Sequence, residues 1–179
     1  MGNRMVRRLT LAATLAALGS IVKIFFQITT LADFRFSLYE IPLIIAGFVL
    51  GPFLGLAAGL SADWVYATVF GYGPNLMTVT SMMWGFLAGV MLYKRKLTTL
   101  RLSMFMVLAS LLALGINSVQ LAMWFGWLSV LGNLPIRIGI MIVSIPIQVY
   151  LVRLVVNRVV LETDIGRWAV VYEPANEKS

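Results

Sequence analysis

The sequence predicts an all-α, polytopic membrane protein with six transmembrane helices and both termini in the cytoplasm. The 179 residues are 60% hydrophobic and only 12% charged, whereas roughly 25% of the residues in a soluble domain are charged. Apolar runs separated by charged or turn-forming segments have lengths close to those that cross a bilayer. Basic residues gather in alternate connections, as is typical of cytoplasmic loops.

Breaks in the apolar pattern define the six helices. The first run contains a single charge, Lys23, and the long run over 41–70 is divided at Gly51-Pro52 because proline disfavours a continuous helix. Residues 126–133 have mixed composition and are expected to form a loop. The predicted helices cover residues 9–30, 38–51, 54–70, 77–93, 103–125 and 134–158.

The distribution of basic residues sets the predicted topology. One side of the membrane receives most of the arginines and lysines, among them the run over 94–96, while the other side receives only Arg35 and Arg137. The termini are therefore expected in the cytoplasm. Residues 1–162 are predicted to form one membrane domain and 163–179 a polar cytoplasmic tail. A cleaved signal peptide is the competing interpretation of the N-terminus.

Residue types missing from the chain exclude several classes of function. Without cysteine or histidine there is no disulfide framework, Ser–His–Asp triad, HExxH zinc site or haem histidine. No GxxxxGK[ST] loop is present for ATP hydrolysis. Asp63 is the one carboxylate well inside a predicted span, which disfavours an intramembrane enzyme and a proton-coupled transporter. The net charge of +7 indicates contact with an anionic inner leaflet rather than nucleic acid. We expect no enzyme activity, cofactor or metal.

Small residues recur at a spacing of four in several predicted helices. In lipid, this spacing lets helix backbones approach closely. We expect the glycine stripe to serve packing within the chain; it comprises Gly47, Gly51, Gly55 and Gly59, with Gly85 and Gly89 in the fourth span. A second face in the first span serves either internal packing or docking of a partner membrane subunit, and it comprises Ala12, Ala13, Ala16 and Ala17.

Ionisable residues in apolar segments are costly and therefore candidates for function. Arg137 follows Pro135, which we expect in the first turn of the last span, where an arginine could clamp a carboxylate. A salt bridge or an arginine reaching the membrane interface is the alternative. Asp63 is expected to pair with Arg137 or to bond a neighbouring helix, in a structural role.

A set of aromatic, amide and basic side chains is predicted near the outer ends of the helices. Aromatic rings can stack on a flat heterocycle while amides read its edge. The alternative is an aromatic belt at the membrane interface. The candidate substrate-binding residues are Arg35, Phe36, Tyr72, Asn75, Asn117, Gln120, Trp124 and Arg137.

Several segments, in order, resemble one known family. They are the alanine-rich first span, the sequences DFRFS over 33–37 and IPLIIAGFVLGP over 41–52, the stretch over 85–94, and LPIR over 134–137. Residues 9–158 thereby resemble the substrate-binding S component of energy-coupling factor (ECF) vitamin transporters. The sequences around Arg35 and Arg137 are most similar to the folate type. The serine after Asn117 departs from that type, so pantothenate, pyridoxine and a thiamin precursor stay open as substrates.

This resemblance implies a division of labour. The S component is expected to bind a vitamin at the outer side of a bacterial cell membrane and to join a transmembrane coupling subunit and two cytoplasmic ATPases. The alanine face of the first span is then the expected contact with the coupling subunit. A membrane assembly subunit without a ligand is the alternative from a different class.

Overall fold

A computed structural model describes residues 2–29, 38–71 and 73–160, and this part of the chain is built from helices joined by short connections. The helices are α1 (Gly2–Thr29), α2 (Glu40–Leu50), α3 (Pro52–Val69), α4 (Leu76–Leu92), α5 (Thr99–Phe125) and α6 (Trp127–Val155), and a π-helical turn continues α6 over Val156–Val160. α1, α5 and α6 are long and apolar enough to cross a membrane, and α2 and α4 are shorter apolar helices. The fold is that of a helical membrane protein.

Two consecutive pairs of helices are separated by a single glycine. Gly51 ends α2 and precedes α3, with a φ of 93°, and Gly126 lies between α5 and α6 with a φ of 81°. Glycine tolerates this left-handed region, which other residues rarely adopt. Pro52 follows at the first position of α3, where its missing N–H costs no helical hydrogen bond. The predicted break at Gly51-Pro52 is confirmed.

The predicted loop over residues 126–133 is wrong. α6 begins at Trp127, directly after Gly126, so Pro135 lies inside the helix and not in its first turn. Pro146 also lies inside α6. Hydrophobic residues flank both prolines, and a helix in an apolar surrounding tolerates proline because neighbouring helices and side chains can satisfy the freed backbone groups. Composition alone therefore placed this helix start seven residues too late.

The glycine stripe packs α2 and α3 against α4, as predicted. A Cβ atom on Gly47 would lie 2.1 Å from the carbonyl oxygen of Gly85, and one on Gly59 would lie 2.3 Å from that of Ser81. A Cβ on Gly89 would come within 2.3 Å of Pro52. These backbones are in direct contact, so any side chain would push the helices apart. α2 lies almost wholly inside the bundle, covered by α1, α3 and α4.

Candidate functional site

The described residues include five of the eight predicted substrate-binding side chains. Arg35, Phe36 and Tyr72 lie outside the described residues. The five that are placed fall where α4 begins, along the second half of α5 and within α6; they are Asn75, Asn117, Gln120, Trp124 and Arg137.

Asn75 and Gln120 both satisfy backbone groups at the start of α4. The side chain of Asn75 accepts a hydrogen bond from the backbone N–H of Met77 at 2.8 Å and forms a capping box with Thr78. Gln120 reaches across from α5, where its Oε1 accepts from the backbone N–H of Leu76 at 2.9 Å. The first N–H groups of a helix have no partner within it. Asn75 therefore caps α4, and Gln120 fixes the start of α4 against α5.

Asn117 adds a second polar contact between the same helices. Thr80 Oγ1 donates a hydrogen bond to Asn117 Oδ1 at 2.8 Å. Asn117 and Gln120 thus each use an amide oxygen toward α4, and among the described residues neither amide nitrogen has an acceptor. Two amide N–H₂ groups on one face of α5 are therefore available as hydrogen-bond donors to a ligand.

Trp124 lies one turn beyond Gln120, near the end of α5. About half of its surface is exposed. Its ring meets that of Phe125 edge-on, with 6.3 Å between the ring centroids. Trp124 forms no hydrogen bond with the polar cluster in the described residues, and it lies among exposed hydrophobic residues at the junction with α6.

Arg137 projects from α6 toward α5. Its Nη1 donates a hydrogen bond to Ser118 Oγ at 2.8 Å, and that hydroxyl donates in turn to the carbonyl of Leu114. No carboxylate among the described residues forms a salt bridge with Arg137. The expected pairing of Arg137 with Asp63 is therefore wrong, because Asp63 pairs with a different residue. The guanidinium of Arg137 is half-buried and lies beside a neutral partner.

Asp63 instead pairs with a lysine that the sequence analysis left out of the site. Lys23 of α1 forms a salt bridge with Asp63 of α3, and Ser81 Oγ of α4 donates to the same carboxylate oxygen at 3.2 Å. The ammonium also lies over the rings of Tyr39 and Tyr66. One sequence signal could have identified Lys23 as a candidate. It is the one charge in an apolar run, and such residues are costly in membranes. Asp63 thus bonds neighbouring helices, which was the second of the two roles expected for it.

A second buried polar pair joins α2 to α6. Gln148 Nε2 donates to Glu40 Oε2 at 2.8 Å, and both side chains are buried. Glu40 is the first residue of α2. One turn before Gln148, the hydroxyl of Ser144 is buried without a partner in the described residues. The interior of the bundle therefore contains more polar groups than the hydropathy pattern indicated.

The alanine face of α1 divides in two. Ala12 and Ala16 are buried inside the chain, whereas Ala13 and Ala17 are exposed. One turn beyond Ala16, Ser20 Oγ donates to the carbonyl of Ala62 at 2.9 Å, which holds this side of α1 on α3. Ala12 and Ala16 are thus occupied by internal packing in this conformation, and only the exposed pair faces outward.

Comparisons with known proteins agree with this architecture. The family model described as "ECF transporter, substrate-specific component" matches residues 7–161. A solved structure described as the crystal structure of FolT bound with folic acid superposes with a TM-score of 0.70 at 21% sequence identity, covering 84% of this chain and 92% of that chain. No curated protein matches the chain. The family match spans most of the sequence, and the chain belongs to the substrate-specific components of ECF transporters.

Proposed function

We propose that this chain captures an anionic vitamin, folate, at the outer side of a bacterial cell membrane. It then delivers the vitamin together with a transmembrane coupling subunit and two cytoplasmic ATPases. Six helices span the membrane with both termini in the cytoplasm, so that the start of α4 and the end of α5 face outward. The family, the resemblance of the sequence to the folate type and the fold shared with a folate-bound protein support this proposal.

The observation that carries the proposal is the environment of Arg137. Its guanidinium is half-buried on α6, and its hydrogen-bond partner is the neutral hydroxyl of Ser118. An arginine has five N–H donors in a fixed fork that suits a carboxylate. Folate carries carboxylates on its glutamate tail, so Arg137 is the proposed partner of one of them. The free amide donors of Asn117 and Gln120 would contact the rest of the vitamin.

A binding measurement on the purified chain tests the role of Arg137. We expect Arg137→Ala to weaken folic acid binding about tenfold or more, because a hydrogen bond to a charged group contributes roughly 1.5–3 kcal/mol. Arg101→Ala is the matched control, since it removes an arginine near the other end of α5 whose guanidinium donates to a backbone carbonyl. Equal affinity of the parent and Arg137→Ala in isothermal titration calorimetry would remove the clamp.

The identity of the vitamin is tested separately by native mass spectrometry of the chain purified from cells grown in rich medium. A retained mass equal to folate supports the proposal. Retention of pantothenate, pyridoxine or a thiamin precursor keeps the transport role and replaces the substrate. The absence of any vitamin, even with the partner subunits and a vitamin panel added, favours a membrane assembly subunit without a ligand.

The exposed face of α1 is the proposed contact with the coupling subunit. Ala13 and Ala17 lie one turn apart and are both exposed, so a partner helix could approach this strip closely. Exposed hydrophobic residues border it, including Leu9 and Ile21.

A further inference from the structure

One largely buried ammonium group links four separate parts of the chain. Lys23 of α1 bonds Asp63 of α3 and donates to Ser81 Oγ of α4 at 3.4 Å. Its Nζ lies 4.8 Å from the ring centroid of Tyr39, just before α2, and 4.5 Å from that of Tyr66 in α3. Only 11% of the Lys23 side chain is exposed, and only 4% of that of Asp63. The two tyrosine rings are thus held by the same cation.

A contribution to folding stability is a weak explanation for such a cluster. Removing two charges from water costs several kcal/mol per ion, and apolar side chains of similar size often replace a buried ion pair without loss. A cation over an aromatic face, in contrast, fixes where that ring lies. The ring of Tyr66 packs in turn on Phe70 at the end of α3, with 4.9 Å between centroids. The cation therefore orders aromatic side chains on two different elements.

These rings lie at the same end of the bundle as the candidate site. Ser81, which contacts the Lys23–Asp63 pair, directly follows Thr80, which bonds Asn117 of the site. α4 thus carries the charged cluster and the amide cluster on adjacent residues. Tyr39 is only partly buried.

We propose that Lys23 is a positioning residue for substrate binding, whose ammonium holds Tyr39 in the orientation that receives an aromatic ligand. This inference rests on the proposed function. Lys23 contacts no substrate itself. Asp63 and Ser81 neutralise and orient the ammonium, and the two tyrosine rings are what it orders.

A double substitution separates this role from a purely structural one. Lys23→Met with Asp63→Asn removes both charges at nearly constant size, so we expect a melting temperature close to that of the parent. Folic acid affinity should nevertheless fall about three- to tenfold, the range expected for loss of one partly desolvated cation–π contact. The single substitution Lys23→Arg keeps a cation, so its affinity for folic acid should stay within about twofold of that of the parent. Lys94→Met removes the cation that lies over the ring of Tyr93 beyond the other end of α4, and it is the matched control with unchanged affinity.

A mutant cycle provides the decisive binding result. Tyr39→Leu alone should weaken binding, and adding the double substitution to it should cause no further loss, because Lys23 acts through that ring. Additive losses, or parent affinity in the double substitution, would overturn the proposal.

Hydrogen exchange without ligand keeps the test independent of the vitamin. The double substitution should speed amide exchange over residues 41–46, next to Tyr39, and leave exchange in the middle of α5 unchanged. If the parent binds no vitamin, the proposed function fails, and the exchange result still decides whether Lys23 positions this segment. Unchanged exchange over 41–46 would overturn the positioning role.

Discussion

Replacing Gly85 by alanine tests the packing that holds α3 and α4 together. A Cβ atom on Gly85 would lie 2.1 Å from the carbonyl oxygen of Gly55, whereas ordinary van der Waals contact begins at 3.4 Å. The two backbones must therefore separate by about 1.3 Å, and no side-chain rotation can relieve a backbone contact. Overpacking costs typically 1–3 kcal/mol, and the intrinsic helix preference of alanine over glycine returns about 1 kcal/mol. Because the clash is between two backbones, we take the upper end of that range, about 3 kcal/mol, and expect a net destabilisation of about 2 kcal/mol.

Gly115→Ala is the matched control because nothing lies within 4 Å of a Cβ atom at this position of α5. It gains only the helix preference, so we expect a stabilisation of up to about 1 kcal/mol. Equilibrium unfolding in mixed detergent micelles, followed by circular dichroism, measures both variants against the parent. If Gly85→Ala were as stable as Gly115→Ala, the contact between α3 and α4 would not be the close packing described above.

Three further predictions concern other parts of the fold. Asn75→Ala should lower the free energy of unfolding by about 1 kcal/mol through loss of the cap on α4, and Asn75→Asp should retain it in the same unfolding experiment. Gly126→Ala should destabilise by about 1 kcal/mol, since alanine is strained at a φ of 81°; an unchanged melting temperature would contradict this. Ala17→Trp should block co-purification with the coupling subunit while preserving the melting temperature, whereas Ala16→Trp should lower the melting temperature because Ala16 is buried. Normal assembly of Ala17→Trp would remove the docking role from the exposed strip.

The helices and their internal packing were largely predictable, since both depend on local signals. Apolar runs, the break at Gly51-Pro52 and the glycine spacing are written into short stretches of sequence. The start of α6 was not predictable in this way. Gly126 allows one helix to follow another directly, whereas the mixed composition and Pro135 both suggested a later start. Proline inside a helix is tolerated in an apolar surrounding, so whether a proline marks the start of a helix depends on tertiary context.

The polar contacts were less predictable because partner choice depends on how the helices are arranged in space. Asp63 was correctly singled out as a buried ionisable group, but its partner proved to be Lys23, 40 residues away, and not Arg137. Asn117 and Gln120 were singled out as a pair on one helix, and their amide oxygens both bond α4. No residue pattern specifies that Gln120 caps a helix that begins 44 residues earlier.

The glycines reveal two differently packed halves of the bundle, and the candidate site lies where these halves meet. In α2, α3 and α4, glycine backbones touch one another, whereas Cβ atoms on Gly115 of α5 and Gly139 of α6 would meet nothing within 4 Å. The tightly packed half therefore has little freedom to adjust, whereas the other half can accept a methyl group at these two glycines at low cost. The contacts from α5 to α4 include the amides of Asn117 and Gln120 and the edge-on packing of Phe105 on Trp84. A ligand that binds those amides therefore contacts the junction itself.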